Sequence, residues 1–135
     1  MGAGLTVTTI NPTYTAEEVG RQMDNSGAKY ALTIGLFLDT IRQAAANVEH
    51  TKIEEIIVLG MEETPDDCKS FMSLMIVDDG TKYRTEGEEC DPHNEVCVMP
   101  YSSGTTGPPK GVCLSHFNIV ANATQACSPD VSDVK

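Results

Sequence analysis

The sequence predicts an α/β fold built from parallel βαβ units. Segments rich in β-branched and aliphatic residues alternate with segments whose apolar residues recur at helical spacing. Their order over the first 60 residues is strand, helix, strand, helix, strand. The third strand segment, IIVLG at 56–60, is apolar throughout, as expected when both faces of a sheet are covered. A chain of 135 residues is long enough for one domain with a single core.

The first strand and the first helix carry local end signals. The segment 4–10, GLTVTTI, is rich in β-branched residues and stops at Asn11-Pro12, which predicts a strand running into a turn. Thr15 and Glu18 then have the spacing of a capping box, so a helix begins there. Gly27 follows the apolar face of this helix and predicts its end.

The next three segments complete the alternation. The run KYALTI at 29–34 predicts a second strand. Apolar residues at helical spacing over 36–49 predict an amphipathic helix, and 56–60 is the third strand. Parallel pairing of the strands follows from this order.

The middle of the chain is strongly acidic. Of the formal net charge of −11, residues 61–95 carry eight, because eleven Asp or Glu face three Lys or Arg there. This stretch predicts a solvated, loop-rich connection, with one brief helical turn at 71–75. The overall charge also argues against nucleic acid or an anionic membrane surface as a partner.

The last part of the chain returns to regular structure. The segment 95–102 predicts a strand that feeds the loop 101–111, and 111–114 predicts a short strand that leaves it. Ser115 is the expected cap of a helix over 116–126. The apolar residues expected to face the interior from this helix are Phe117, Val120 and Ala121.

The cysteines and the N-terminus bear on compartment. Five cysteines without a CxxC pair, and without histidines at zinc-finger spacing, predict reduced and mostly buried thiols. The first residues lack the basic and apolar regions of a signal peptide. No apolar stretch approaches the roughly eighteen residues that span a bilayer. We therefore expect an intracellular protein without a transmembrane segment, and cytoplasm and peroxisome both remain open.

The loop 101–111, YSSGTTGPPKG, has the composition of an oxyanion cradle. Its glycines permit close backbone approach, and amide groups in such loops form concave sites for phosphate oxygens. Hydroxyl groups and the ammonium group of Lys110 add donors and charge. The spacing fits neither G-x-x-x-x-G-K-[ST] nor G-x-G-x-x-G. Composition alone leaves a flexible linker as the alternative.

Two stretches resemble one family. SSGTTGPPKG followed by V-x-L-S-H is similar to the phosphate-binding signature of adenylate-forming, or AMP-binding, enzymes. Upstream, residues 4–18 resemble the G-x-x-V-x-x-x-N-P-x-Y-T-x-x-E segment of the acyl-CoA synthetase and 4-coumarate–CoA ligase branch. The resemblance covers nearly the whole chain and is weakest over 61–95. It implies that residues 1–135 are part of the large N-terminal domain of such an enzyme.

The resemblance implies a reaction and its participants. Such enzymes join a carboxylic acid to AMP from ATP with Mg²⁺, release pyrophosphate, and pass the acyl group to coenzyme A. The residues that would contact the ATP phosphates, by motif position, are Ser102, Ser103, Gly104, Thr105, Thr106, Gly107 and Lys110. No catalytic residue and no metal ligand is assigned within the chain.

Several alternatives stay open at this point. A luciferase-like enzyme shares the adenylation step, and a peptide-synthetase domain loads a carrier protein instead of coenzyme A. A short non-catalytic product that binds a nucleotide is a fourth possibility. The family's adenine, ribose and adenylating-lysine motifs have no counterpart in these 135 residues. We therefore expect the chain to be a fragment that is inactive alone.

Overall fold

The computed structural model describes residues 4–75, 90–102 and 107–128. The chain divides into two compact units. We call Ile10–Gly80 the sheet unit, and Met1–Thr9 with Thr81–Lys135 the hairpin unit. Of the predicted acidic connection over 61–95, residues 76–89 lie outside the described residues.

The sheet unit contains the predicted βαβ arrangement. Helix α1 (Ala16–Ser26) leads to strand β1 (Tyr30–Ile34), a 3₁₀ turn (Gly35–Phe37), helix α2 (Leu38–Ala46) and strand β2 (Glu55–Leu59). Strands β1 and β2 are parallel, with Ala31 opposite Ile56 and Thr33 opposite Val58. The short strand β3 (Lys69–Ser70) extends the sheet beside β2, also in parallel, and helix α3 (Phe71–Leu74) follows it. The α/β prediction is confirmed, as is the brief helix at 71–75.

Helix α1 begins and ends where its local signals predict. The side chain of Thr15 accepts a hydrogen bond from the amide of Glu18, and the Glu18 carboxylate accepts one from the amide of Thr15 at 2.8 Å. This reciprocal capping box satisfies two amide groups at the start of the helix. Gly27 closes the helix in the left-handed region with φ of 66°.

The core of the sheet unit lies on one face of the sheet. Its buried residues come from both helices and from β1, and they are Val19, Met23, Ala31, Ile41 and Ala44. The opposite face of β1 is exposed, since Tyr30, Leu32 and Ile34 have 52%, 59% and 44% of their surface accessible. The expectation of two covered faces concerns β2, the strand at 56–60, and the residues Glu55–Leu59 are all buried or half-buried. In β1 the covered face is that of Ala31, where α1 and α2 share one core.

In its described residues, the hairpin unit consists of short paired strands and one helix. Strand β4 (Val96–Val98) pairs antiparallel with β7 (Leu114–Ser115), and β5 (Tyr101–Ser102) pairs antiparallel with β6 (Lys110–Gly111). The predicted strands 95–102 and 111–114 are thus each interrupted. Pro100 lies in the first interruption and, having no N–H group, cannot donate to a strand ladder.

Helix α4 (His116–Ala126) has the predicted bounds. Its capping box joins Ser115 to Asn118, whose amide donates to the Ser115 hydroxyl at 3.3 Å. The predicted inward orientation is wrong for two residues, since Phe117 is 49% and Val120 is 64% exposed. The Phe117 ring stacks on the ring of His93 with centroids 4.3 Å apart.

The segment 4–10 is not a strand over its length. Val7 forms an isolated parallel bridge to Val98, supported by hydrogen bonds from the Val7 amide to the Cys97 carbonyl and from the Met99 amide to the Val7 carbonyl. The segment therefore attaches to β4 through one backbone bridge at Val7, and the hydroxyls of Thr6 and Thr8 donate to the carbonyls of Val96 and Met99 on either side of it. The predicted first strand of the βαβ series is wrong in extent and in partner.

Candidate functional site

The phosphate-binding signature begins and ends on a β-hairpin. In the register of β5 and β6, Tyr101 lies opposite Gly111 and Ser102 lies opposite Lys110. The amide of Val112 donates to the Pro100 carbonyl at 2.9 Å, which extends this pairing beyond the two strands. The hairpin thus brings the first hydroxyl residue of the signature next to its lysine.

The part of the loop that leads into β6, residues 107–109, has a restricted backbone. Gly107 has φ of 90°, which L-residues with a side chain rarely adopt. Pro108 and Pro109 follow, and each fixes its own φ near the value of an extended chain. Gly107 turns the chain, and the two prolines stiffen the limb that ends at Lys110.

Lys110 is an exposed cation without a carboxylate partner among the described residues. By contrast, Lys29 pairs with Glu54 at 3.8 Å and Lys69 pairs with Glu55. The chain has 20 acidic residues against nine Lys or Arg. An ammonium group without a carboxylate neighbour can bind an anionic ligand.

The predicted site residues are therefore placed in part. Ser102, Gly107 and Lys110 lie on the described hairpin, whereas Ser103, Gly104, Thr105 and Thr106 lie outside the described residues. Sequence reasoning missed Tyr101, whose ring lies against Gly111. The signal that could have found it is the aromatic residue at the start of the signature, directly before Ser102.

The exposure of the cysteines differs from the expectation of mostly buried thiols. Cys97 is buried and Cys68 is half-buried, but Cys90, Cys113 and Cys127 are exposed. The prediction of mostly buried thiols is wrong, because Cys90 lies in the loop before β4, Cys113 lies between β6 and β7, and Cys127 follows the last residue of α4. All five are free thiols.

Metal ligands do not converge in the part of the chain that the structure describes. No three His, Cys, Asp or Glu side chains are grouped there in a way that could hold a metal ion. Among their helices, none has the length and apolar character needed to cross a lipid bilayer.

Comparison with known proteins identifies the family. The model of the AMP-binding enzyme family matches residues 1–134. This chain belongs to the AMP-binding enzyme family. The resemblance predicted from the two sequence stretches is confirmed.

Curated relatives place this AMP-binding chain near the CoA ligases. It is 34% identical over 133 residues to 4-coumarate–CoA ligase 3 of Arabidopsis thaliana, a match that covers 96% of the chain and 22% of the relative. The chain thus spans about a fifth of the length of the curated relatives it matches.

Two solved structures share the fold of this chain. A red-emitting luciferase from Phrixothrix hirtus superimposes with a TM-score of 0.77 at 24% identity, covering 93% of the chain and 30% of the luciferase. An anthranilate CoA ligase in complex with anthranoyl-AMP superimposes with a TM-score of 0.67 at 24% identity, covering 90% of the chain and 23% of the ligase. At these identities the matches establish the fold.

Proposed function

We propose that this chain supplies the ATP phosphate-binding loop of an adenylate-forming acid–CoA ligase. The observation that carries the proposal is the pairing of Ser102 with Lys110 across the hairpin, at the two ends of the family's signature. The curated relatives support a ligase because they are named 4-coumarate–CoA ligases. Residues 1–135 would be part of the large N-terminal domain, with 101–111 as the loop and 61–95 as a connection within it.

The substrates would be ATP, a carboxylic acid and coenzyme A. ATP would enter as its magnesium complex, in which the ion offsets phosphate charge. A carboxylate oxygen would bond to the α-phosphorus while the bond from that phosphorus to the bridging oxygen breaks, releasing pyrophosphate. The thiolate of coenzyme A would then bond to the acyl carbon and displace AMP.

The role of the hairpin in the first step is electrostatic. Negative charge grows on the departing pyrophosphate, so donors aimed at its oxygens stabilise the transition state. The Lys110 ammonium would hold these oxygens from one strand and the Ser102 hydroxyl from the other. The positive φ at Gly107 would let the backbone of the loop approach the same oxygens. By motif position, Ser103, Gly104, Thr105 and Thr106 would complete the loop.

The test uses a chimera. Residues 1–135 replace the matched segment of the Arabidopsis thaliana relative, which supplies the rest of a family chain. We expect the chimera to exchange pyrophosphate into ATP in a manner that depends on a hydroxycinnamic acid. Lys110→Ala should reduce this exchange by about 10²–10³-fold, or ~2–4 kcal/mol, as for other preorganised donors.

The matched control is Lys52→Ala. Lys52 is also exposed and has no carboxylate partner among the described residues, but it lies in the sheet unit. Its replacement should leave exchange unchanged. Equal exchange by the Lys110→Ala and unmodified chimeras would refute the proposal. The 135-residue chain assayed alone should form no acyl-AMP above its own Lys110→Ala variant.

A further inference from the structure

Gly111 leaves close-packed space for neighbouring side chains, and its backbone is not in the left-handed region. Its φ is not positive, unlike that of Gly4, Gly27, Gly60 and Gly107. A Cβ atom at Gly111 would lie 3.1 Å from Cζ of Tyr101, 3.2 Å from Oη of Tyr101 and 3.2 Å from Sδ of Met99. A side chain at this position would therefore displace the tyrosine ring, the methionine sulfur, or both.

The ring of Tyr101, on β5, packs against Gly111 on the facing strand β6. The two residues are direct partners in the register of β5 and β6. Tyr101 is half-buried, and burial, followed by the charge of Cys113, raises the pKa of its phenol. An aromatic ring laid over a glycine on the facing strand is one of the devices that fix the register of a strand pair.

Met99 packs beside Tyr101 at Gly111, and hydrogen bonds hold its backbone in place. Its amide donates to the Val7 carbonyl at 2.8 Å, and its carbonyl accepts from the Thr8 hydroxyl at 2.7 Å. Both hydrogen bonds join segments about 90 residues apart in sequence. The backbone of Met99 is therefore held to the segment 7–8 within the hairpin unit, and its sulfur lies beside the space at Gly111.

We propose that Tyr101, packed on Gly111 against Met99, is a positioning residue for the phosphate-binding hairpin. Ser102 follows Tyr101 and Lys110 precedes Gly111, so one contact sets the place of both polar residues. The proposal rests on the proposed function for the identity of the ligand, the phosphates of ATP. A displacement of about 1 Å at a reacting group can cost roughly 10²-fold in rate.

Four variants distinguish the effect of the Tyr101 ring from that of its hydroxyl group and from that of the space at Gly111. Tyr101→Val keeps a residue suited to strands but removes the ring, whereas Tyr101→Phe keeps the ring. Gly111→Ala fills the slot. Gly35→Ala is the matched control, because a Cβ there would lie 3.1 Å from Cγ and 3.2 Å from Sδ of Met61, in the sheet unit.

The first measurement uses the 135-residue chain and follows amide hydrogen exchange at Val112. This amide donates to the Pro100 carbonyl at the base of the hairpin and reports local opening. We expect Tyr101→Val and Gly111→Ala to raise its exchange rate by about tenfold or more relative to the unmodified chain. Gly35→Ala should stay within about twofold, and Tyr101→Phe should stay closer to the unmodified chain than Tyr101→Val does. Unchanged exchange at Val112 in Tyr101→Val would overturn the proposal.

The second measurement is the kinetics of acid-dependent pyrophosphate exchange in the chimera. Tyr101→Val and Gly111→Ala should lower kcat about 10–100-fold while leaving KM for the acid unchanged. Because part of the effect acts through Lys110 and the rest through Ser102, Gly111→Ala should lower kcat by a smaller factor in the Lys110→Ala background than in the unmodified chimera. If the two substitutions are fully additive, the positioning proposal is refuted and the proposed function is not. If Lys110→Ala leaves pyrophosphate exchange unchanged, the proposed function is refuted.

Discussion

At the scale of single residues, Asp24 ties the end of α1 to the segment after α2. Its carboxylate accepts hydrogen bonds from the amides of Glu49, His50 and Thr51 at 3.3, 2.8 and 2.7 Å. Burial acts to raise the pKa of Asp24, but these three donors together hold it below its ordinary value. The charged form is therefore the one that the folded sheet unit favours.

Asp24→Asn should destabilise the chain at neutral pH, because the amide offers one acceptor oxygen and no charge. A carboxyl group with a lowered folded pKa stabilises above its unfolded pKa, near 3.9, and this contribution is lost as pH falls through the folded value. The Tm of Asp24→Asn should therefore lie below that of the unmodified chain, with the largest difference at pH 7. This difference should shrink below about pH 4. Thermal unfolding followed by circular dichroism measures it.

The control for lost charge is Asp66→Asn, at an exposed aspartate of the same unit. Removing one negative charge from a chain of net charge −11 should not lower its Tm. Equal Tm values for Asp24→Asn and Asp66→Asn at pH 7 would show that the three amide contacts contribute nothing to stability.

At the residue level, composition alone is enough to single out Lys110. Lys110 stands out as a lysine within a run of glycines and hydroxyl residues, and the structure places it opposite Ser102. Its contact with phosphate remains a prediction. The packing of Tyr101 on Gly111 could not be predicted, because the register of a hairpin decides which residues face each other.

At the scale of elements, helix boundaries followed local chemistry and strand extents did not. The capping boxes at Thr15 and Ser115 lie within four residues of sequence, so both helix starts could be predicted. A strand needs a partner that its own sequence does not contain. The segment 4–10 has strand composition but meets β4 only near Val7, among the described residues.

The apolar face of α4 gives a test at this scale. Val19 of α1 is 2% exposed and Val120 of α4 is 64% exposed, although both lie in helices of 11 residues. Val19→Ala should lower the free energy of unfolding by roughly 2 kcal/mol, since it leaves a cavity. Val120→Ala should change it by less than ~0.5 kcal/mol.

Urea unfolding of the two variants decides between the structure and the sequence-based expectation for α4. If Val120 faced the interior as its spacing suggested, the two losses would be similar. A loss for Val120→Ala close to that for Val19→Ala would contradict the exposed placement. The m-value serves as the control, because it should be the same for both variants if each unfolds from the same native state.

At the scale of the whole molecule, charge imbalance acts on stability. There are 20 acidic residues against nine Lys or Arg, so repulsion among like charges outweighs attraction at long range. The ion pairs that the structure describes are largely at the surface, as in Lys29–Glu54, where the side chains are 66% and 47% exposed. Exposed pairs contribute little to stability. Net repulsion should therefore dominate the response to salt.

Raising NaCl from 10 to 200 mM at pH 7 should raise the Tm. The screening length falls from about 30 Å to less than 10 Å over this range, so repulsion between distant carboxylates is lost while contacts at hydrogen-bond distance persist. If about 1 kcal/mol of repulsion is screened, the shift should be roughly 3–6 °C for a chain of this size. Near the isoelectric point of about 4.5 the same salt step should have little effect, because the net charge is close to zero. A fall in Tm at pH 7 would mean that the surface ion pairs contribute more than the excess negative charge removes.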